Sequence, residues 1–160
     1  MGFERVTLGR TGLSVSPIGI ASSYGTNEAM VEEAVDRGVN YLYWGALRTK
    51  KMGRGIRSVV HRKRDDLVIV AHTTTRSPKT LSREVQKNLG QLGVDCLDVL
   101  LLGWHNKKPD ARLLDQVAKL KEDGLVRFSA LSGHDRSLFP ELERDKLIDI
   151  FHVRYNAAHR

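Results

Sequence analysis

Apolar residues recur along this chain in two alternating rhythms. The runs "SPIGIAS", "NYLYW", "DLVIVAH", "CLDVLLLGW", "LVRFSALS" and "KLIDIFHVRYN" are short and near-continuously apolar, as strands buried on both faces are. Between them the spacing turns helical. In "TLSREVQKNLGQLG" the residues Leu81, Val85, Leu89 and Leu92 fall on one stripe. "TNEAMVEEAVDRG" carries Met30, Val31, Ala34 and Val35 on one face, with Thr26 or Asn27 as its N-cap and Gly38 as its stop. "MGRGIRSVVHRKR", "DARLLDQVAKLKEDG" and a short piece near "SLFPELERD" complete the helices. Ahead of all this, "RVTLGRTGLSV" reads as a hairpin around a Gly-containing turn.

Strands that each hand over to a helix define an α/β protein with a parallel sheet. A doubly wound sheet would carry a Gly-rich phosphate loop after an early strand, and no G-x-G-x-x-G occurs. The weight therefore falls on a barrel of the (β/α)8 type. A full barrel takes about 250 residues, and 160 residues with about six strand–helix units make up its N-terminal portion. The expectation is one domain over 1–160, an incomplete barrel lacking its last strands.

Composition narrows the picture further. With 41% hydrophobic and 28% charged residues the chain is an ordinary globular domain. No apolar run approaches the roughly 20 residues that cross a bilayer, and the charged N-terminus is no signal-peptide core, so no membrane partner is expected and the cytoplasm is the expected compartment. Cys96 is the single cysteine, which excludes an internal disulfide. The net charge of +7 raises nucleic acid as a partner, and the basic residues crowd into "RTKKMGRGIRSVVHRKR". Without interleaved aromatics that cluster reads as a solvated helix face, and nucleic acid ranks last among the partners.

In a parallel barrel the chemistry sits at the C-terminal strand ends. Those positions hold Ser22, Ser23 and Tyr24; Tyr43, Trp44 and Arg48; His72 with Thr73 to Thr75; Gly103, Trp104 and His105; Ser132 and His134; and His152, Arg154 and Asn156. The bland readings stand beside the functional ones: a strand-end histidine that is only hydrogen-bonded, tryptophans that cap a barrel, and an internal ion pair between Arg154 and Asp149. No metal-ligand spacing and no G-x-S-x-G elbow occur, so no metal is expected and a serine hydrolase is disfavoured.

The stretches "LGRTGLSVSPIGIAS", "EEAVDRGVNYL", "RDDLVIVA", "LGVDCLDVLLL", "KLKEDGLVRFSALS" and "VRYN", in this order, resemble the aldo/keto reductase family. The resemblance implies a (β/α)8 barrel that binds NADP(H) at its mouth and reduces carbonyls by hydride transfer. It implies a tyrosine acid tuned by a lysine and an aspartate, with a histidine orienting the carbonyl. This sequence departs at all four positions. Tyr43 stands at the aspartate, Arg48 at the tyrosine, His72 at the lysine and Gly103 at the histidine. Of the residues that contact the nicotinamide, Ser132 matches, while Gly133 and His152 replace an asparagine and a glutamine. The segments for the cofactor's phosphates lie on later strands, outside this sequence.

Three readings follow. The first is an NADP(H)-dependent oxidoreductase with a rebuilt site: Tyr43 donates the proton, Arg48 or His72 favours its ionised form, Ser132 and His152 hold the cofactor, and Tyr24, Trp44, Trp104 and His105 line a pocket for a small carbonyl substrate. The second is a catalytically silent relative acting as a binding or regulatory subunit. The third is a nucleic-acid-associated protein using Arg48 to Arg64.

Overall fold

The computed structural model describes residues 3–45 and 49–158. Strands β1 (Val6–Thr7) and β2 (Ser14–Val15) form the expected antiparallel hairpin. Gly12, with φ of 71°, supplies the left-handed turn residue between them. Strands β3 (Gly19–Ala21), β4 (Tyr41–Trp44), β5 (Val68–Thr73), β6 (Leu97–Leu102), β7 (Val126–Ser132) and β8 (Ile150–His152) form one parallel sheet in sequence order.

Helices α1 (Glu28–Asp36), α2 (Thr49–Lys63), α3 (Pro78–Leu92), α4 (Ala111–Glu122) and α5 (Phe139–Arg144) connect successive strands. Their starts are capped as the sequence suggests. Asn27, rather than Thr26, caps α1 by accepting the Met30 N–H, Ser77 accepts the Thr80 N–H at α3, and Asp110 accepts the Arg112 N–H at α4. Leu81, Val85, Leu89 and Leu92 are the buried stripe of α3. On α1 the buried pair is Val31 and Val35, whereas Met30 is 54% exposed. One position along a helix is enough to rotate a side chain off the stripe.

The sheet is curled, and one hydrogen bond measures the curl. Tyr41 Oη on β4 lies 2.7 Å from His152 Nε2 on β8. Four strand spacings in a flat sheet would separate those strands by about 19 Å. Their inward side chains meet because the six strands bend into a half-barrel.

Strand parity then divides the residues. Leu42, Trp44, Ile69, Ala71, Leu100, Leu102 and Leu131 face outward and form one core with α1 to α5. Val68, Val70, Val99, Leu101, Ala130 and Ile150 face inward with Tyr41, Tyr43 and Phe128. Leu13 and Val15 of the hairpin join this inner cluster and close its floor.

Buried polar groups at the floor are paired. Asn40 accepts the Ser16 N–H and donates to the Ser14 and Asp66 carbonyls, tying hairpin to barrel. Fully buried Asp98 accepts the Ile69 N–H and meets the guanidinium groups of Arg64 and Arg127 at 2.9 and 3.0 Å. The expected pairing of Arg154 with Asp149 is replaced. Asp149 faces Lys121 and the Ser129 N–H, while Arg154 is exposed.

Candidate active site

Alternation along each strand puts Tyr43, His72, Gly103, Ser132 and His152 on the inner face, at the C-terminal ends of consecutive strands β4 to β8. The Tyr43 ring centroid lies 5.9 Å from that of His72 and 6.0 Å from that of His152. Trp104, just past β6, sets its ring edge-on to His72 at 5.5 Å. Four predicted site residues thus gather in one place.

Others do not. Trp44 has the opposite parity to Tyr43. It is buried among the helix-facing side chains, and its Nε1–H donates to the Thr49 carbonyl at 3.0 Å. Tyr41, three residues earlier, lies on the inner face instead. Tyr24 stands 90% exposed in the turn after β3. Arg48 lies outside the described residues. His105 is buried behind the rim, and its Nε2 has no hydrogen-bond partner among the described residues.

Backbone strain marks the rim. Trp104 has φ of 60°, a left-handed conformation that costs a bulky residue roughly 1 kcal/mol or more. Three contacts hold it there. Its N–H donates to Ser132 Oγ at 3.2 Å, and Arg76 Nη2 donates to the carbonyls of Trp104 and Gly103, each at 3.0 Å. The same guanidinium reaches back to the Thr74 carbonyl at 2.8 Å, so it joins the loops after β5 and β6. Ser132 therefore has a structural task beside its predicted cofactor role. Arg76 went unnoticed in the sequence, since only the fold brings its loop beside Gly103.

Glycines set the clearances. A Cβ on Gly103 would lie 1.8 Å from His72 Nε2, and one on Gly45 2.4 Å from His72 Cβ. A Cβ on Gly133 would lie 1.9 Å from the His105 carbonyl oxygen. Each is far inside van der Waals contact. These strand ends accommodate His72 and His105 only because the facing positions have no side chain.

Burial dominates the electrostatics. It raises the Tyr43 phenol above its ordinary value, and it raises Tyr41 further, with the nearby Tyr43 adding to the effect. His72 is lowered by burial first and by the Arg76 charge second, against a smaller opposing effect of Glu84. His152 is pushed down to about 4 by burial and by His72. His105 is pushed down to about 4 by burial and by Arg76. At neutral pH the inner face therefore carries phenols and neutral imidazoles. Of the two neighbours expected to favour the ionised form of Tyr43, Arg48 lies outside the described residues, and His72, as an uncharged ring, offers hydrogen bonding rather than a charge.

The basic stretch behaves as a solvated face. Arg54 pairs with Glu28, and Arg62 and Lys63 both pair with Asp36, so α1 neutralises much of α2.

A parallel strand–helix half-barrel with polar and aromatic groups converging at the C-terminal strand ends is the scaffold of barrel enzymes. Comparison gives the family. Residues 12–160 match the Aldo/keto reductase family model, and the chain belongs to that family. It is 28% identical over 153 residues to pyridoxine 4-dehydrogenase of Escherichia coli, covering 82% of this chain and 52% of that protein. Among solved structures it is similar to the holo form of an aldo-keto reductase of Bacillus halodurans, with TM-score 0.81 and 21% identity, covering 96% of this chain and 58% of that one. A Klebsiella pneumoniae aldo-keto reductase in complex with NADPH aligns with TM-score 0.77 and 21% identity, over 97% of this chain and 59% of that one. The chain thus spans about half the length of the curated relative it matches. Among the described residues no helix is long and apolar enough to cross a membrane.

Proposed function

We propose that this chain carries the carbonyl-reducing site of an NADP(H)-dependent oxidoreductase in which Tyr43 is the proton donor. The observation that carries the reading is the convergence of Tyr43, His72 and His152 on the inner face at the strand ends. A protonated phenol and neutral imidazoles suit an uncharged carbonyl, and the apolar layer beneath them excludes water.

The residues present also fit a nicotinamide. Ser132 Oγ accepts the Trp104 N–H and keeps its own hydrogen to donate, and His152 holds a ring nitrogen beyond the one facing Tyr41. When bound, the dihydronicotinamide supplies hydride to the carbonyl carbon. Tyr43 then gives its phenolic proton to the oxygen, yielding an alcohol, and the phenolate regains a proton from water. An alkoxide is a stronger base than a phenolate, so this transfer runs downhill even from a phenol raised by burial.

The test is titration of the full-length protein with NADPH, followed by turnover on a panel of aldehydes and ketones. Binding with turnover supports the reading. Absence of both defeats it.

A second reading rests on one observation. Burial raises Tyr43 and the facing His72 is uncharged, so nothing among the described groups tunes the phenol towards neutral pH. A catalytically silent relative that binds a nucleotide or a small ligand fits that balance. NADPH binding without turnover on any carbonyl would decide for it.

A further inference from the structure

Tyr41 on β4 and His152 on β8 meet across the inner face, with Oη 2.7 Å from Nε2. Both groups are uncharged at neutral pH. Burial, with His72 adding to it, pushes the imidazole down to about 4, and burial raises the phenol above its ordinary value. A neutral phenol and a neutral imidazole can make this contact in two ways. Either Tyr41 donates its O–H to a bare Nε2, or Nε2 carries the ring hydrogen and donates it to Tyr41.

Counting hydrogens separates the two. In the second arrangement the phenolic hydrogen needs an acceptor, and Tyr41 has no further hydrogen-bond partner among the described residues. A donor would be left over in a partly buried place, at a cost. In the first arrangement the phenolic hydrogen is used, and the one ring hydrogen stands on Nδ1. That nitrogen has no partner among the described residues either, but it is open to solvent. Among those residues, the one buried side-chain nitrogen or oxygen without a partner is His105 Nε2.

We propose that Tyr41 is a positioning residue: by donating to Nε2 it locks the hydrogen of His152 on Nδ1, so that the inner face presents an N–H donor there to a carboxamide oxygen. The proposal rests on the reading of this face as a nicotinamide site.

The glutamine that His152 replaces needs no such device, because one amide carries donor and acceptor together. A histidine has one hydrogen for two nitrogens, and the nitrogen that bears it is set by what the other one meets. The replacement therefore calls for a partner behind the ring, and the curl of the sheet supplies it from four strands away. The Tyr41 and Tyr43 rings flank the imidazole, each 6.0 Å from it between centroids.

The test is nitrogen NMR of the full-length protein carrying isotope-labelled histidine, at neutral pH, with NADPH affinity measured by fluorescence beside it. The signals of His152 are those lost in His152→Gln. In the wild type the hydrogen should stand on Nδ1, and in Tyr41→Phe it should move to Nε2 in most molecules. Tyr41→Phe should also weaken NADPH about 10-fold, the scale of one hydrogen bond. In the His152→Gln background the same substitution should change affinity little, because an amide has no tautomer to lock.

A wild-type ring with its hydrogen on Nε2, or on both nitrogens, overturns the proposal, and that spectrum decides even where a variant fails to fold. Equal losses of NADPH affinity from Tyr41→Phe in both backgrounds also overturn it, since they would mark Tyr41 as a packing residue alone. A wild type that binds no NADPH yet holds the hydrogen on Nδ1, and releases it in Tyr41→Phe, defeats the nicotinamide reading and leaves the lock in place.

Discussion

The two ends of the half-barrel handle buried polarity in opposite ways. At the floor, Asp98 is wholly buried and ionisable, yet two guanidinium groups and a backbone N–H surround it. Asn40 there has partners for both its carbonyl and its amide hydrogens. At the rim, no hydrogen bond joins the His72 ring nitrogens or the Tyr43 hydroxyl to another described residue, and His105 Nε2 is buried without a partner among the described residues. Trp104 is held there in a strained backbone conformation. The floor's polar groups are spent on the fold. Those of the rim remain available to something else, as ligand-binding strand ends in barrels are.

Single substitutions should separate the two ends. The largest effect belongs to the rim and to activity: Tyr43→Phe should lower kcat/KM by about 100- to 1,000-fold, the scale of a lost general acid. Its unfolding midpoint should be unchanged or higher, since the half-buried hydroxyl has no hydrogen-bond partner among the described residues. A Tyr43→Phe enzyme with full turnover would remove Tyr43 as the donor.

At the floor the order reverses. Asp98→Ala should cost about 3 kcal/mol in denaturant unfolding, because it leaves the buried Ile69 N–H without its acceptor and the Arg64 guanidinium without its carboxylate. Arg127 is half exposed and contributes less to that loss. Asn40→Ala should cost about 2 kcal/mol, as the Ser16 N–H and two carbonyls lose their partner. In both variants any residual activity should follow the folded fraction. If instead Asn40→Ala changed KM without changing stability, the contrast between the ends would fail.

The remaining contrast is in pH dependence. His105 and His152 are held to about 4 in the fold, against an ordinary value of about 6.5 in the unfolded chain. Above that unfolded value both states carry neutral rings, and the full stability is present. As pH falls from 6.5 towards 4, the unfolded chain takes up protons that the folded chain refuses, so stability declines through that window. Thermal melts should fall on acidification across it and stay level from pH 7 to 8. His152→Phe should flatten part of the slope, while a slope of the opposite sign would mean that the rim histidines are charged in the fold.

Much of the scaffold was legible because it is written in local periodicity. The stripe of α3, the hairpin and all six parallel strands follow from spacing that a single stretch of chain contains. The clearest misses concern direction. Met30 sits one residue from the buried stripe of α1 yet faces solvent. Trp44 looks like a pocket residue beside Tyr43 but points the other way, as neighbours on a strand must. The same alternation would have singled out Tyr41, which shares the inner face with Tyr43.

The sequence by itself determined the alternation of strand and helix, the parallel sheet, and the family pattern with its replaced positions. These depend on residue type and short-range order, which the chain states directly. Tertiary structure alone decided what the replacements do. It closed β4 towards β8 so that Tyr41 reaches His152, and it brought Arg76 to the Gly103 carbonyl. It also laid the His72 ring across Gly103, making two separate substitutions one steric unit. The reason is curvature. Residues strands apart in sequence share an interior only once the sheet bends, and burial there, rather than any neighbour in sequence, keeps the histidines uncharged.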